Sequence, residues 1–241
     1  MTTSMDYNEK SVYQFKTFAQ IFFYGHLLVF AFNFIGLTII SQIIAIVITL
    51  MFAYAIYTNS NSERFRKGIF IALLFAIAVI VENLGFFLPS SLTNVKSPET
   101  DEEFISWFTL LAKDLPPIIV LLIIVTITGG VSAIWFGKWF KIYLPKEIPQ
   151  TNAFQIYGII IILTNGFTLY SFFEIIDKFG TGNGTINSVE DVSLLIFAFT
   201  IMNFVLGVVK IIAIYKVYNR ITIFYNIMAY KEPAEDTYKV R

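Results

Sequence analysis

The chain has 241 residues, of which 56% are apolar and only 14% charged, with 17 Lys and Arg balancing 17 Asp and Glu. Soluble domains carry about 25% charged residues, and the mean hydropathy of +0.70 places the chain in a membrane rather than in water. Cysteine is absent, which excludes disulfides, thiolate metal sites and cysteine nucleophiles.

Residues 1 to 16 are polar, and no small-residue cleavage site follows the first apolar run. They read as a cytoplasmic N-terminal segment leading into a retained signal anchor. Six apolar segments follow, at 18 to 36, 37 to 57, 68 to 88, 116 to 136, 154 to 176 and 192 to 214. Each is about 20 residues long, enough to cross a hydrocarbon layer of roughly 30 Å. The predicted fold is an all-α integral membrane bundle of six helices, with a transmembrane domain over 17–214 and a basic cytoplasmic tail over 215–241.

The first two spans are the least separated, because residues 17–57 run for 41 residues without a charge. A single helix of that length would reach about 60 Å, so a tight turn near Asn33 to Gly36 is required. In the second span Ser41, Ala45, Thr49 and Ala53 recur every four residues, and in the third Gly68, Ala72 and Ala76 do so. Small residues at this spacing let helix backbones approach closely in lipid, so these two stripes are expected to pack together. The fourth span offers Gly129 and Ala133.

Between the third and fourth spans, Thr100 and Glu103 form a capping box. The helix that follows is amphipathic, with Glu102, Ser106, Thr109 and Lys113 on one stripe. It is expected to lie in the outer interface until Pro116 and Pro117 end it. The loop after the fifth span contains the sequon Asn183-Gly184-Thr185, an acceptor for N-glycosylation.

Charge orients the bundle. With both termini inside, fourteen of the 17 Lys and Arg lie on the inner side and only Lys96, Lys113 and Lys178 outside, as the positive-inside rule requires. The expected location is therefore the cell membrane, with cytoplasmic termini. The inner ends of the second, fourth and sixth spans read Ala55-Ile56-Tyr57, Ala133-Ile134-Trp135 and Ala213-Ile214-Tyr215, at spacings of 78 and 80 residues. Two explanations stand side by side: three helical hairpins of similar design, or the general attraction of aromatic residues to membrane interfaces.

Candidate chemistry is confined to polar groups inside the spans. Charged side chains cost from about 2.5 kcal/mol upward at the bilayer centre, so Glu82, with Asn83 beside it in the third span, is the sharpest candidate. It reads as an ion or proton ligand, or as a neutral or paired structural acid. Asn165 and Asn203 join these two as the candidate polar site, while Asn33, Gln20 and Gln42 read as interhelical hydrogen-bonding groups. Lys210 is expected to snorkel to the inner interface. His26 is the only histidine, so bis-histidine haem ligation is excluded, and it reads as a bundle-facing hydrogen-bonding residue. No phosphate loop, serine–histidine pair or carboxylate pair is recognisable, and no catalytic, cofactor-binding or metal-binding residue is assigned.

In its short amphipathic start, its Ile-rich helices and inner edges such as Trp135 to Tyr143 and Tyr215 to Arg220, the chain resembles multi-span membrane proteins of thermoacidophilic archaea and their viruses, a family of unknown function. That resemblance transfers no role to any residue. The expected function is a non-enzymatic structural or accessory component of a membrane assembly, contacting the lipid bilayer and other membrane subunits or a second copy of itself. No nucleic-acid partner is expected. The alternative is a small-solute or ion transporter or channel built on Glu82 and the intramembrane Asn residues.

Overall fold

The structure, a computed structural model, describes residues 9–84, 120, 123–180 and 189–231. Those residues form helices and turns with no strand. The helices are α1 (Glu9–Phe34), α2 (Thr38–Thr58), α3 (Lys67–Leu84), α4 (Val131–Tyr143), α5 (Ala153–Gly180) and α6 (Val189–Lys231). A π-helical turn, Thr126–Gly130, leads straight into α4.

The expected turn in the uncharged stretch is present, and its chemistry is visible. Gly36 adopts φ +81°, the left-handed conformation that glycine takes without penalty. The Leu37 N–H donates to the Phe32 carbonyl at 2.8 Å and the Gly36 N–H to that of Asn33 at 3.3 Å, the paired bonds of a Schellman C-cap. Residues 17–57 thus form two helices. Among the described residues five helices are long and apolar enough to cross a membrane, and α3 is a shorter apolar helix.

The six helices form a closed ring in chain order. Each packs on its sequence neighbour, and α6 returns to pack on α1. Ring contacts show that neighbours are antiparallel: Phe22 stacks on Phe52 at 4.2 Å between α1 and α2, Phe136 meets Phe154 at 4.7 Å between α4 and α5, and α1 meets α6 at Phe30–Phe204 and Tyr13–Tyr225. Large apolar residues face outward. On α2 the exposed stripe is Ile39, Ile43, Val47, Leu50, Tyr54 and Tyr57, opposite the Ser41–Ala53 stripe. Apolar outside and polar inside is the arrangement a lipid solvent selects.

The densest packing lies at the end of the ring that carries the loops 59–66 and 144–152. Phe15, Phe52, Phe136, Trp139, Phe140 and Tyr143 form an aromatic core there, with Phe15 touching Phe52, Trp139, Phe140 and Tyr143 at ring separations between 5.3 and 6.2 Å. Aromatic side chains with a polar handle need a partner when buried. Trp139 Nε1 donates to the Phe65 carbonyl at 3.0 Å and the Tyr143 hydroxyl to Asn59 Oδ1 at 2.8 Å. Gly68 admits the indole, since a Cβ there would stand 2.7 Å from Trp139 Nε1.

Several expectations are refined. The sixth helix does not end at 214 but continues to Lys231, because Val217, Ile221 and Phe224 bury themselves against the same core. The helical part of the N-terminal segment likewise begins at Glu9, with Val12 and Phe15 fully buried. At 43 residues, α6 is about 65 Å long, twice the hydrocarbon thickness, so it carries the bundle beyond the bilayer. The second-span stripe does not simply pack on the third helix. Ser41, Ala45 and Thr49 line an internal cavity. Within the three related triplets, Ala55, Ala133 and Ala213 are buried while Tyr57, Trp135 and Tyr215 are exposed, so all three descending helices present the same register at one end. The interfacial helix expected after Thr100 and the Asn183 sequon lie outside the described residues.

Candidate functional site: a polar cavity in the bundle

The ring encloses a cavity of about 600 Å³, inside the 300 to 1,000 Å³ range of small-molecule sites. Its walls follow helical periodicity. On α1 the lining residues are Phe22, His26, Val29, Phe30 and Asn33, and on α6 they are Asn203, Leu206, Gly207, Lys210, Ile211 and Ile214. Both sets recur at three- and four-residue steps, which keeps them on one helix face. Ser41, Gln42, Ala45 and Thr49 come from α2, and Asn165 from α5.

Towards the aromatic end the cavity closes on buried Phe22, Phe154 and Ile214. Towards the other end, Asn33 and Asn203 are exposed among the described residues. The Ser41 hydroxyl donates to Asn33 Oδ1, tying α2 to α1 beside the Gly36 turn. His26 is 3% exposed. Its Nδ1 donates to the Phe22 carbonyl at 3.0 Å, since a carbonyl can only accept. The opposite ring nitrogen, Nε2, is buried and has no hydrogen-bond partner among the described residues.

The π-helical turn Thr126–Gly130 borders the cavity through Gly129, as does Val125 just before it. Wide turns of this kind inside a helix concentrate at functional sites. Thr128 Oγ1 donates to the Ile124 carbonyl at 2.7 Å and Ser132 Oγ to that of Gly129 at 2.9 Å, so side-chain hydroxyls serve the loosened backbone ladder. Directly after it the backbones of α4 and α5 touch. A Cβ on Gly158 would lie 2.6 Å from the Gly130 carbonyl oxygen.

Of the sequence-predicted site residues, Asn165 and Asn203 are brought together on this cavity. Glu82 and Asn83 lie in the last turn of α3, with side chains outside the described set. Four further residues join the site. His26, Asn33 and Gln42 read in the sequence as hydrogen-bonding residues of the bundle, and Lys210 as an inner-edge cation; all four line the cavity. A signal for two of the pairs was present: His26 with Asn33 and Lys210 with Asn203 are each seven residues apart, two helical turns on one face. The π turn and the Gly130–Gly158 contact had no comparable signal. Among the described residues no group of three His, Asp or Glu could hold a metal ion, and none of the described lining residues is acidic.

No family model, curated protein or solved structure matches this chain.

Proposed function

We propose that this chain is a non-enzymatic, multi-pass protein of the cell membrane whose six-helix bundle holds a small polar solute in its central cavity, as a carrier or channel. The observation that carries this is the convergence of His26, Asn33, Gln42, Asn165, Asn203 and Lys210, from four helices, on one cavity inside a bundle with apolar outer faces. Polar groups are expensive in a membrane and are retained where they meet one another, water or a ligand. A purely structural or accessory role accounts for the apolar faces and for the Ser41–Asn33 hydrogen bond, but gives the gathering of Lys210 and the buried His26 on one cavity no purpose. The basic, aromatic-packed end is assigned to the cytoplasm by the excess of Lys and Arg there, which leaves the Asn33 and Asn203 end facing outward.

The absence of cysteine makes the test direct. Single cysteines at Ala45 and Ala78, both lining the cavity, should react with a membrane-impermeant thiol reagent in sealed vesicles. Cysteines at Ile43 and Leu163, which are 58% and 67% exposed on the outer faces, should not, because a thiol in hydrocarbon does not ionise. If the cavity pair proves as inert as the outer pair, the cavity is dry and the accessory role takes its place.

A further inference from the structure

We infer that the solute is a small organic anion carrying a hydrogen-bond donor, with Lys210 as its counter-charge and His26 as its acceptor. This rests on the reading of the cavity as a solute site and adds the chemical class. The first observation is charge. Lys210 is the one cationic side chain among the described lining residues, and no acid lies among them. An ammonium group inside the membrane needs an anion or water, so the cavity favours a negative guest.

The second observation is independent of charge. The His26 ring is buried, its Nδ1 is committed to the Phe22 carbonyl, and Nε2 is unpartnered among the described residues. In the neutral ring Nε2 presents a lone pair, and a buried acceptor left empty is destabilising. A solute hydroxyl or amine N–H completes it. The two groups stand at one level of the bundle. Phe30 of α1 packs on Gly207 of α6, its ring carbon 3.2 Å from where a Cβ would lie, and about one turn from that contact, in antiparallel helices, come His26 and Lys210.

The third observation is shape. Phe22, Phe75, Phe154, Tyr157 and Ile214 line the cavity beside the polar groups, a surface that suits a hydrocarbon body and would leave a bare halide or phosphate without complementary contact. A carboxylate on Lys210, an α-hydroxyl or amine on His26 and a short carbon chain on the aromatic floor satisfy all three.

The experiment uses the full chain carrying Ala45→Cys, reconstituted in phosphatidylcholine vesicles, and measures protection from thiol labelling. Three probe series of matched size, from three to six carbons, are compared: 2-hydroxycarboxylates, 1,2-diols and 1,2-amino alcohols. The hydroxycarboxylates should protect and the other two should not. Lys210→Gln should weaken that protection by about 10- to 100-fold, the value of a charge-assisted hydrogen bond, and Lys210→Arg should restore most of it. Equal protection by the diols, preferential protection by the amino alcohols, or no protection by any series overturns the anion assignment while the labelled cavity still stands. An Ala45→Cys chain that is never labelled overturns both readings.

Discussion

The contact between α4 and α5 offers the sharpest test of how the bundle is held together. An alanine methyl at Gly158 would stand 2.6 Å from the Gly130 carbonyl oxygen, 2.7 Å from Ile134 Cγ1 and 3.0 Å from the Ile134 nitrogen. Ordinary carbon–oxygen contact begins at about 3.3 Å, so the two backbones must part by about 0.7 Å. A gap of that size forfeits a quarter to a half of each dispersion contact along the seam. Overpacking costs about 1 to 3 kcal/mol, whereas alanine's helix propensity returns about 1 kcal/mol. Gly166 supplies the control, because it lies in the same helix and a Cβ there meets nothing within 4 Å. Gly166→Ala should therefore be neutral or stabilising, and Gly158→Ala should be less stable than Gly166→Ala by about 1 to 3 kcal/mol. Unfolding in mixed micelles with rising SDS, followed by far-UV circular dichroism, measures the difference. Equal midpoints for the two variants would refute the claim that these glycines bring α4 and α5 into backbone contact.

Three further outcomes are expected. Tyr143→Phe strands the buried Asn59 Oδ1, whose present donor is 2.8 Å away, and should cost about 1 to 3 kcal/mol in the same titration; an unchanged midpoint would mean that water replaces the hydroxyl. Tags at residue 61 and at the C-terminus should be protected in sealed right-side-out vesicles and one at residue 97 accessible, and the reverse pattern inverts the orientation. Glu82 follows Val79 by three residues and Ala78 by four on α3, two positions that line the cavity. Like charges repel, so Glu82→Gln should tighten hydroxycarboxylate protection; a weakened or abolished protection would make Glu82 part of the solute's own binding.

The architecture was legible where it depends on length and sign of side chain. Apolar runs of span length, a forced turn in an uncharged stretch and alternating loops yield six helices, and the Gly36 turn follows because only one break fits. Legibility failed where a residue's meaning depends on which neighbour it meets. Lys210 near a helix end looks like a snorkelling cation, but the closed ring turns its face inward to Asn203 and His26. The Ser41–Thr49 stripe has the spacing of a packing groove, and the same spacing serves equally to line a cavity. Gly130 and Gly137 lie seven residues apart on one helix and Gly158 on the next, so no four-residue rhythm within a single helix marks their contacts. The end of α6 was misread for a related reason: past residue 214 its charges look solvated, while every third or fourth residue, Val217, Ile221 and Phe224, is buried.

The two halves of the bundle have opposite characters, and this bears on how a solute could move. On the basic side the space between helices is filled by Phe15, Phe52, Phe136, Trp139 and Tyr143, fully or almost fully buried, and it is pinned by the Trp139–Phe65 and Tyr143–Asn59 hydrogen bonds. On the other side polar groups line the cavity. On the proposed reading, a solute held at Lys210 and His26 would meet an aromatic plug on its way to the basic end. Close-packed interiors do not deform continuously, so passage requires a second arrangement of the plug rather than its gradual loosening. The π turn in front of α4 is the natural place for that change, because its backbone ladder is already widened and the same helix carries Phe136, Trp139 and Tyr143. A carrier of this design would couple solute binding beside Gly129 to the position of the plug about two to four turns further along α4. A channel would need the plug open without a bound solute, which the present packing does not offer.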